Sequence, residues 1–219
     1  MTRSSTLLCA IQAHPSRNAR ARSLALRLAT RHVVYDPRPD GPPDSWRCYR
    51  AVLESALHLP WWTSLLVVQD DAEPHPEALA AARLIARCRP LEVIALYVGE
   101  QNPQHARDQA AACARGDAYV QLQPGSWVPL VATIWPRPDA ASLLATGRNL
   151  AYPAADDAVA QGWFARNPGR RCWATVPSLF DHDGEEPSLF GNSPGRRAAM
   201  TFGDSSPLHD VDWDLGRWV

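Results

Sequence analysis

The chain has no lysine. All 22 of its basic residues are arginine, a bias that a GC-rich coding sequence explains as well as function does, although arginine is also the better bidentate ligand for phosphate. Nor is there a net field. Set against 23 acidic residues, the arginines leave a formal charge of -1, so nothing attracts a polyanion globally and any nucleic-acid contact needs a local patch. No apolar run approaches the ~20 residues of a membrane-spanning helix, and no membrane insertion is expected. The opening Met1 to Thr6 leads into a run too short and too soon polar for a signal peptide, so a cytoplasmic location is expected. Cys9, Cys48, Cys88, Cys113 and Cys172 never fall into C-x-x-C spacing; this argues against a zinc site or a disulfide framework and for reduced core thiols.

Internal repeats and low-complexity linkers are absent too, so nothing divides the chain. Its 219 residues can bury a substantial core, and they are read as one domain, 1–219. Thr6 to Gln12 predicts a first strand. Ala13-His14-Pro15-Ser16-Arg17 follows, then a helix to about Arg31 with Leu24 and Leu28 on one face and Arg20, Arg27 and Arg31 on the other. His32 to Tyr35 predicts a second strand, Ser45 to about Leu57 a helix after a Pro/Gly/Asp loop, Ser64 to Gln69 a third strand, Pro76 to Arg87 a helix, and Glu92 to Val98 a fourth strand opening into a polar loop. Ala118 to Gln121 and Val128 to Trp135 read as strands, Asp139 to Thr146 and Ala155 to Arg166 as helices. The tail after Pro177 is irregular, rich in Gly, Pro, Ser and Asp. Strands alternating with helices predict an α/β fold, a parallel or mixed sheet covered on both faces.

The apolar strand Ser64 to Gln69 ends in two adjacent carboxylates, Asp70 and Asp71. In open α/β sheets ligands bind beyond the carboxyl ends of the strands, where such a pair can hold a metal ion. The alternative is that both acids cap the next helix, which Pro74-His75-Pro76-Glu77 begins well. A second polar site follows another apolar stretch: His182, in Val176-Pro177-Ser178-Leu179-Phe180-Asp181-His182-Asp183-Gly184. If that segment folds back over the sheet edge, His182 supplies a nitrogen ligand beside Asp71. Carboxylate oxygen with one imidazole suits Mn2+, while Mg2+ favours oxygen and water alone.

Gln69-Asp70-Asp71 resembles the D-x-D-type motif of GT-A glycosyltransferases. Pro177-Ser178-Leu179-Phe180-Asp181-His182, followed by Ser188-Leu189, is similar to their late histidine segment, and Ala13-His14-Pro15-Ser16-Arg17 resembles the nucleotide-contacting start of small actinobacterial and phage enzymes of this type. The resemblance runs from about Thr6 to Phe202, and its strength lies in the order of short motifs. It implies a Rossmann-like GT-A fold, with about 1–100 binding a nucleotide-diphosphate sugar, a UDP-linked donor being expected, and about 101–219 forming the acceptor side and a closing segment. Asp71 and His182 would bind Mn2+ or Mg2+. His14, Arg17 and Asp70 would contact the donor, with Arg196 and Arg197 closing over its diphosphate. Gln69 departs from relatives that carry an acid there. Asp157, in preference to Asp156, would serve as base toward the acceptor hydroxyl, although acids at this point also cap the helix they begin.

The implied acceptor is a hydroxyl of a protein, a glycan or a hydroxymethylated base in phage DNA, the last requiring a basic rim that Arg20, Arg27 and Arg31 could form. Of nine tryptophans, Trp127 and Trp135 flank the expected acceptor region and Arg137 lies near it. His75 competes with His182 as a ligand, and His209 is read as a surface or supporting residue. Two other functions fit the same residues: a non-catalytic nucleotide-sugar-binding module, and a metal-dependent nucleotidyltransferase.

Overall fold

A computed structural model describes residues 5–42, 44–99, 102–123, 128–148, 150, 154–182, 199 and 208–218. The near-continuous apolar runs Leu7–Ala13 (β1) and Ser64–Gln69 (β3) pair in parallel inside a seven-stranded sheet, each flanked by a strand on both sides. Both faces of such strands are covered, which is why their residues are apolar without alternation. His32–Tyr35 (β2) pairs in parallel with the far half of β1, at one edge. Ala132–Pro136 (β7) runs antiparallel between β3 and Val93–Ala95 (β5). Cys172–Thr175 (β8) is parallel to β5, and Tyr119–Leu122 (β6) closes the other edge antiparallel to β8. The order is β2-β1-β3-β7-β5-β8-β6. The fold is thus the expected α/β type, a mixed sheet flanked by helices.

The two faces sort side chains by strand period. Leu8, Ala10, Leu65 and Val67 pack with Trp46, Tyr49, Leu53, Leu143 and Trp163 from helices Ser45–Leu57 (α2), Arg137–Gly147 (α5) and Asp156–Arg166 (α6). Cys9, Ile11, Leu66 and Val68 pack with Ala21 and Leu24 of Asn18–Arg27 (α1) and with the alanine-rich Ala78–Cys88 (α3). Among the described residues no helix is long and apolar enough to cross a membrane.

Several elements differ from the sequence reading. The first helix stops at Arg27 rather than Arg31. Thr30 N–H bonds Ala25 C=O and Ala29 N–H bonds Leu26 C=O, with Ala29 left-handed at φ 44°; this is the Schellman ending, which consumes the last carbonyls and turns the chain into β2. A helix, Pro103–Arg115 (α4), occupies what reads as polar loop. Its buried positions are His105, Ala106, Gln109 and Ala112, so the usual stripe of large apolar residues is missing. Strand β8 lies where no element was expected.

The segment after β3 is a short strand, Ala72–Pro74 (β4), antiparallel to Phe180–His182 (β9) with Ala72 opposite His182. Helix α3 begins only after it, with Glu77 as N-cap and no side-chain cap bond. Asp70 and Asp71 therefore do not cap the next helix.

Ala29 occupies a conformation that costs an L-residue with a Cβ roughly 1 kcal/mol and glycine almost nothing. Ala29→Gly is expected to stabilise the protein by about 0.5–1 kcal/mol in urea unfolding. A loss of stability would mean that the left-handed ending is not what stops α1.

Candidate active site

The carboxyl ends of β1 and β3 lie side by side, with Gln12 opposite Gln69. Just beyond β3, Asp70 is buried at 6% exposure. Its Oδ2 accepts the His14 backbone N–H at 2.7 Å, and its Oδ1 accepts Arg17 Nη1–H at 3.1 Å. The same Nη1 donates to Asp71 Oδ2 at 2.9 Å. Arg17 is itself buried and sits on the single 3-10 turn Pro15–Arg17 that joins β1 to α1. One guanidinium thus bridges two adjacent carboxylates.

The β4 and β9 ladder carries His182 to the same place. Its Nε2 lies 3.4 Å from Asp71 Oδ2. Leu179 and Phe180 N–H both donate to Leu96 C=O, and His75 N–H donates to Leu179 C=O, so β9 is anchored to the sheet as well as to β4. The fold-back that would bring the late histidine to Asp71 is thus present. Asp71 Oδ1 and His182 Nδ1 are buried, and neither has a hydrogen-bond partner among the described residues.

The environments of the carboxylates diverge. Burial would raise the Asp71 pKa, but hydrogen bonding and charge from His182 and Arg17 outweigh it and bring it down to about 2. Burial dominates at Asp70: the His14 N–H and Arg17 oppose it, Asp71 repels, and the pKa ends above the ordinary carboxylate value. Desolvation would lower the Arg17 pKa, but Asp71 and Asp70 together raise it and keep the guanidinium charged.

A second polar cluster adjoins the first through Gln69, whose Nε2 donates to Asp156 Oδ2 at 3.1 Å. Asp156 Oδ1 accepts Ser45 Oγ–H and the Asp157 N–H, both at 3.0 Å, and Gln12 Nε2 donates to Ser45 C=O at 3.1 Å. The N-termini of α2 and α6 are thereby joined to the ends of β1 and β3. Burial and the neighbouring Asp157 push the Asp156 pKa up to about 6, against its hydrogen bonds. Asp157 is less buried, and its Oδ1 accepts the Ala158 N–H at 2.7 Å, so the capping function of an acid here is realised.

Of the residues singled out from sequence, Arg17, Asp70, Asp71, His182 and the His14 main chain converge. The His14 ring instead meets Ser16 Oγ at 2.7 Å. The chain from Asp70 back through Gln69 leads to Asp156. Arg196, Arg197 and Trp127 lie outside the described residues, as does the His209 side chain. Arg137 is elsewhere: it donates to Leu57 and Leu59 carbonyls at the end of α2 and covers the Trp62 ring, near the amino end of β3. Trp135 is core, its indole N–H on Tyr49 Oη at 2.7 Å. His75 Nδ1 accepts the Glu77 N–H at 3.1 Å, at the start of α3. Sequence reasoning passed over Gln12 and Ser45 and left Gln69 without a partner. The available signal was an amide ending each of two buried strands.

A divalent ion would find few protein ligands here. Among the described residues no group of three or more His, Cys, Asp or Glu side chains is placed to hold one. Asp71 with His182 offers two protein ligands and an orphaned carboxylate oxygen. That number fits an ion of the Mg2+ or Mn2+ kind when substrate phosphates and water complete the shell. No protein-family model matches the chain, and no curated protein matches its sequence.

Asp156 gives this site a pH signature. Its folded pKa of about 6 stands above the ordinary 3.8, so the stability it contributes is fully present below about pH 3.8 and is lost as pH rises through 6. Asp156→Asn removes that loss and is expected to be more stable than the parent at pH 7 by up to ~3 kcal/mol. Denaturant midpoints between pH 4 and 7 check it, and parallel curves for the two proteins would contradict a buried, raised carboxylate.

Proposed function

We propose that the chain is a divalent-cation-dependent glycosyltransferase of the GT-A type, moving a glycosyl group from a nucleoside-diphosphate sugar to a hydroxyl. The observation that carries this reading is the convergence of Asp71, with a buried oxygen that has no hydrogen-bond partner among the described residues, and His182 on one point beyond the carboxyl end of β3. Order along the chain supports it as well: the β1 turn, the acid pair and the late histidine meet in space.

In this reading Asp71 Oδ1 and the His182 imidazole hold Mn2+ or Mg2+. When bound, the cation offsets the charge developing on the departing diphosphate. A positive counterweight is needed, because two carboxylates facing one Arg17 would otherwise repel an incoming diphosphate. Asp70 anchors the β1 turn through the His14 N–H and Arg17, and so shapes the wall against which the donor lies. As the sugar C–O bond to diphosphate breaks and the acceptor oxygen bonds the same carbon, a carboxylate must take the hydroxyl proton. Asp157 is assigned that task, since both Asp156 oxygens are engaged by Ser45, Gln69 and the Asp157 N–H.

Protein, glycan and hydroxymethylated DNA acceptors remain compatible with this chemistry. The structure weighs on the DNA option: Arg27, one of three arginines proposed as a basic rim, is paired with Glu73 and bonded to Pro74 C=O.

The test is nucleoside-diphosphate release from a panel of nucleotide sugars with MnCl2. Asp71→Ala and His182→Ala are each expected to lower the rate by about 100-fold or more, as loss of a metal ligand does. Undiminished release in both variants would sink the assignment. Donor binding without turnover would indicate a binding module, and pyrophosphate release from a nucleoside triphosphate, with none from any nucleotide sugar, a nucleotidyltransferase.

A further inference from the structure

Arg17 stands where a metal-binding site of this kind has no obvious room for a second cation. It is 8% exposed, and its Nη1 touches Asp70 Oδ1 at 3.1 Å and Asp71 Oδ2 at 2.9 Å. Asp71 Oδ2 also faces His182 Nε2 at 3.4 Å, while Oδ1 of the same carboxylate has no hydrogen-bond partner among the described residues. A divalent ion placed on Asp71 would share one carboxylate with a guanidinium, and two cations at such range in a poorly hydrated site repel strongly.

Asp70, by contrast, does not depend on Arg17 alone. Its other oxygen keeps the His14 N–H at 2.7 Å. Arg17 sits on the short 3-10 turn Pro15–Arg17, directly at the start of α1.

We propose that Arg17 is the resident counter-cation of Asp71: it keeps the empty carboxylate pair neutralised and gives Asp71 up to the divalent ion when a diphosphate arrives to receive the guanidinium. The inference rests on the reading of Asp71 as a metal ligand. Arg17 Nη1 leaves Asp71 for the diphosphate, the divalent ion takes its place on the Asp71 carboxylate, and Asp70 keeps the His14 N–H. The acid pair is paired with a cation throughout, and the metal binds weakly without diphosphate and tightly with it. Coupling of this sort is reciprocal, so the metal tightens the diphosphate by the same factor. An arginine suits the exchange, since its planar fork fits carboxylate and phosphate alike.

The test is Mn2+ binding by the full chain, read from the electron paramagnetic resonance signal of free MnCl2, with and without methylenediphosphonate, a diphosphate mimic without base or sugar, after subtraction of the Mn2+ that the diphosphonate chelates in a protein-free blank. Methylenediphosphonate is expected to tighten Mn2+ about tenfold in the parent protein, within the usual range of such couplings. Arg17→Gln is expected to bind Mn2+ alone about tenfold tighter than the parent and to lose most of the diphosphonate effect. Equal Mn2+ affinity in Arg17→Gln and parent overturns the exchange, as does an undiminished diphosphonate effect in the variant. Asp71→Asn separates this from failure of the site: if it abolishes binding while Arg17→Gln changes nothing, only the exchange is wrong. If Asp71→Asn binds like the parent, or if no protein takes up Mn2+ with or without diphosphonate, the metal reading falls and the exchange with it. Should Arg17→Gln not fold alone, Arg17→Lys keeps the charge without the fork and is expected to show a smaller diphosphonate effect than the parent; an equal effect overturns the exchange.

Discussion

Two neighbouring carboxylates taken out of water at the end of a buried strand must be compensated, and the arrangement of the whole carboxyl edge follows from how this is done. Asp70 and Asp71 share a single guanidinium, and Asp70 adds a main-chain N–H. Leaving either charge buried and unpaired would cost several kcal/mol, by the rule that breaking one side of a buried ion pair is far worse than never having it. In this structure Arg17 is therefore held between them. With it is fixed the turn Pro15–Arg17, the exit of β1, and the entry of α1, whose far end returns the chain to β2. The first βαβ unit and the acid pair are one construction.

The other half of the site is placed by strand register. Ala72 opposite His182 puts the histidine beside Asp71, and a slip of one residue would bring Asp181 opposite Ala72 instead. In β9 the Asp181 Oδ1 accepts the N–H groups of His182 and Ala199, which ties the start of the later chain to the ladder. Through Gln69 the acid pair also leans on Asp156. The result is two carboxylates with opposite character a short chain of contacts apart: Asp71 down at about 2, favoured as an anion by its contacts with His182 and Arg17, and Asp156 up at about 6, destabilised as an anion by burial. Separation of this kind is how one site keeps a permanently charged group next to one that titrates near neutrality.

Much of the fold was legible because its signals are local. Strand Ser64–Gln69 and helix Ser45–Leu57 match their expected bounds; the first is a bounded apolar run, and the second has Asp44 capping Arg47 N–H at 3.0 Å. Helix α4 was not, because its buried face is built from alanine, histidine and glutamine, which carry no helical stripe of large apolar residues. Strands β4 and β9 are three residues each, too short for a period to register. Within the site, the acid pair and the histidine are legible as residue types at abrupt ends of apolar runs. The pairing of Gln69 with Asp156, 87 residues apart, is tertiary, and no spacing encodes it. Arg137 shows the converse: a residue adjacent in sequence to the acceptor-side candidates ends up capping α2, because the antiparallel β7 delivers its far end to the opposite edge of the sheet.

Sheet polarity explains why chemistry gathers at one edge. In a βα unit the helix that follows a strand starts near that strand's carboxyl end, so its unpaired N–H groups collect there. Among the helices that begin at this edge, α1, α2 and α6 adjoin the acid pair or Asp156, and they are not equivalent. Helix α2 has Asp44 as its cap, and α6 carries Asp156 and Asp157 in its first turn, so each meets its own anion. Helix α1 has neither an acid in its first turn nor a side-chain cap, and its N-cap is Arg17 itself. Of these three starts, the one without an internal anion is the one fronted by the guanidinium that bridges the acid pair. In the proposed reading, a diphosphate on that side would meet helix N–H groups and an arginine together. The carboxylates behind them set how much further positive charge must accompany it.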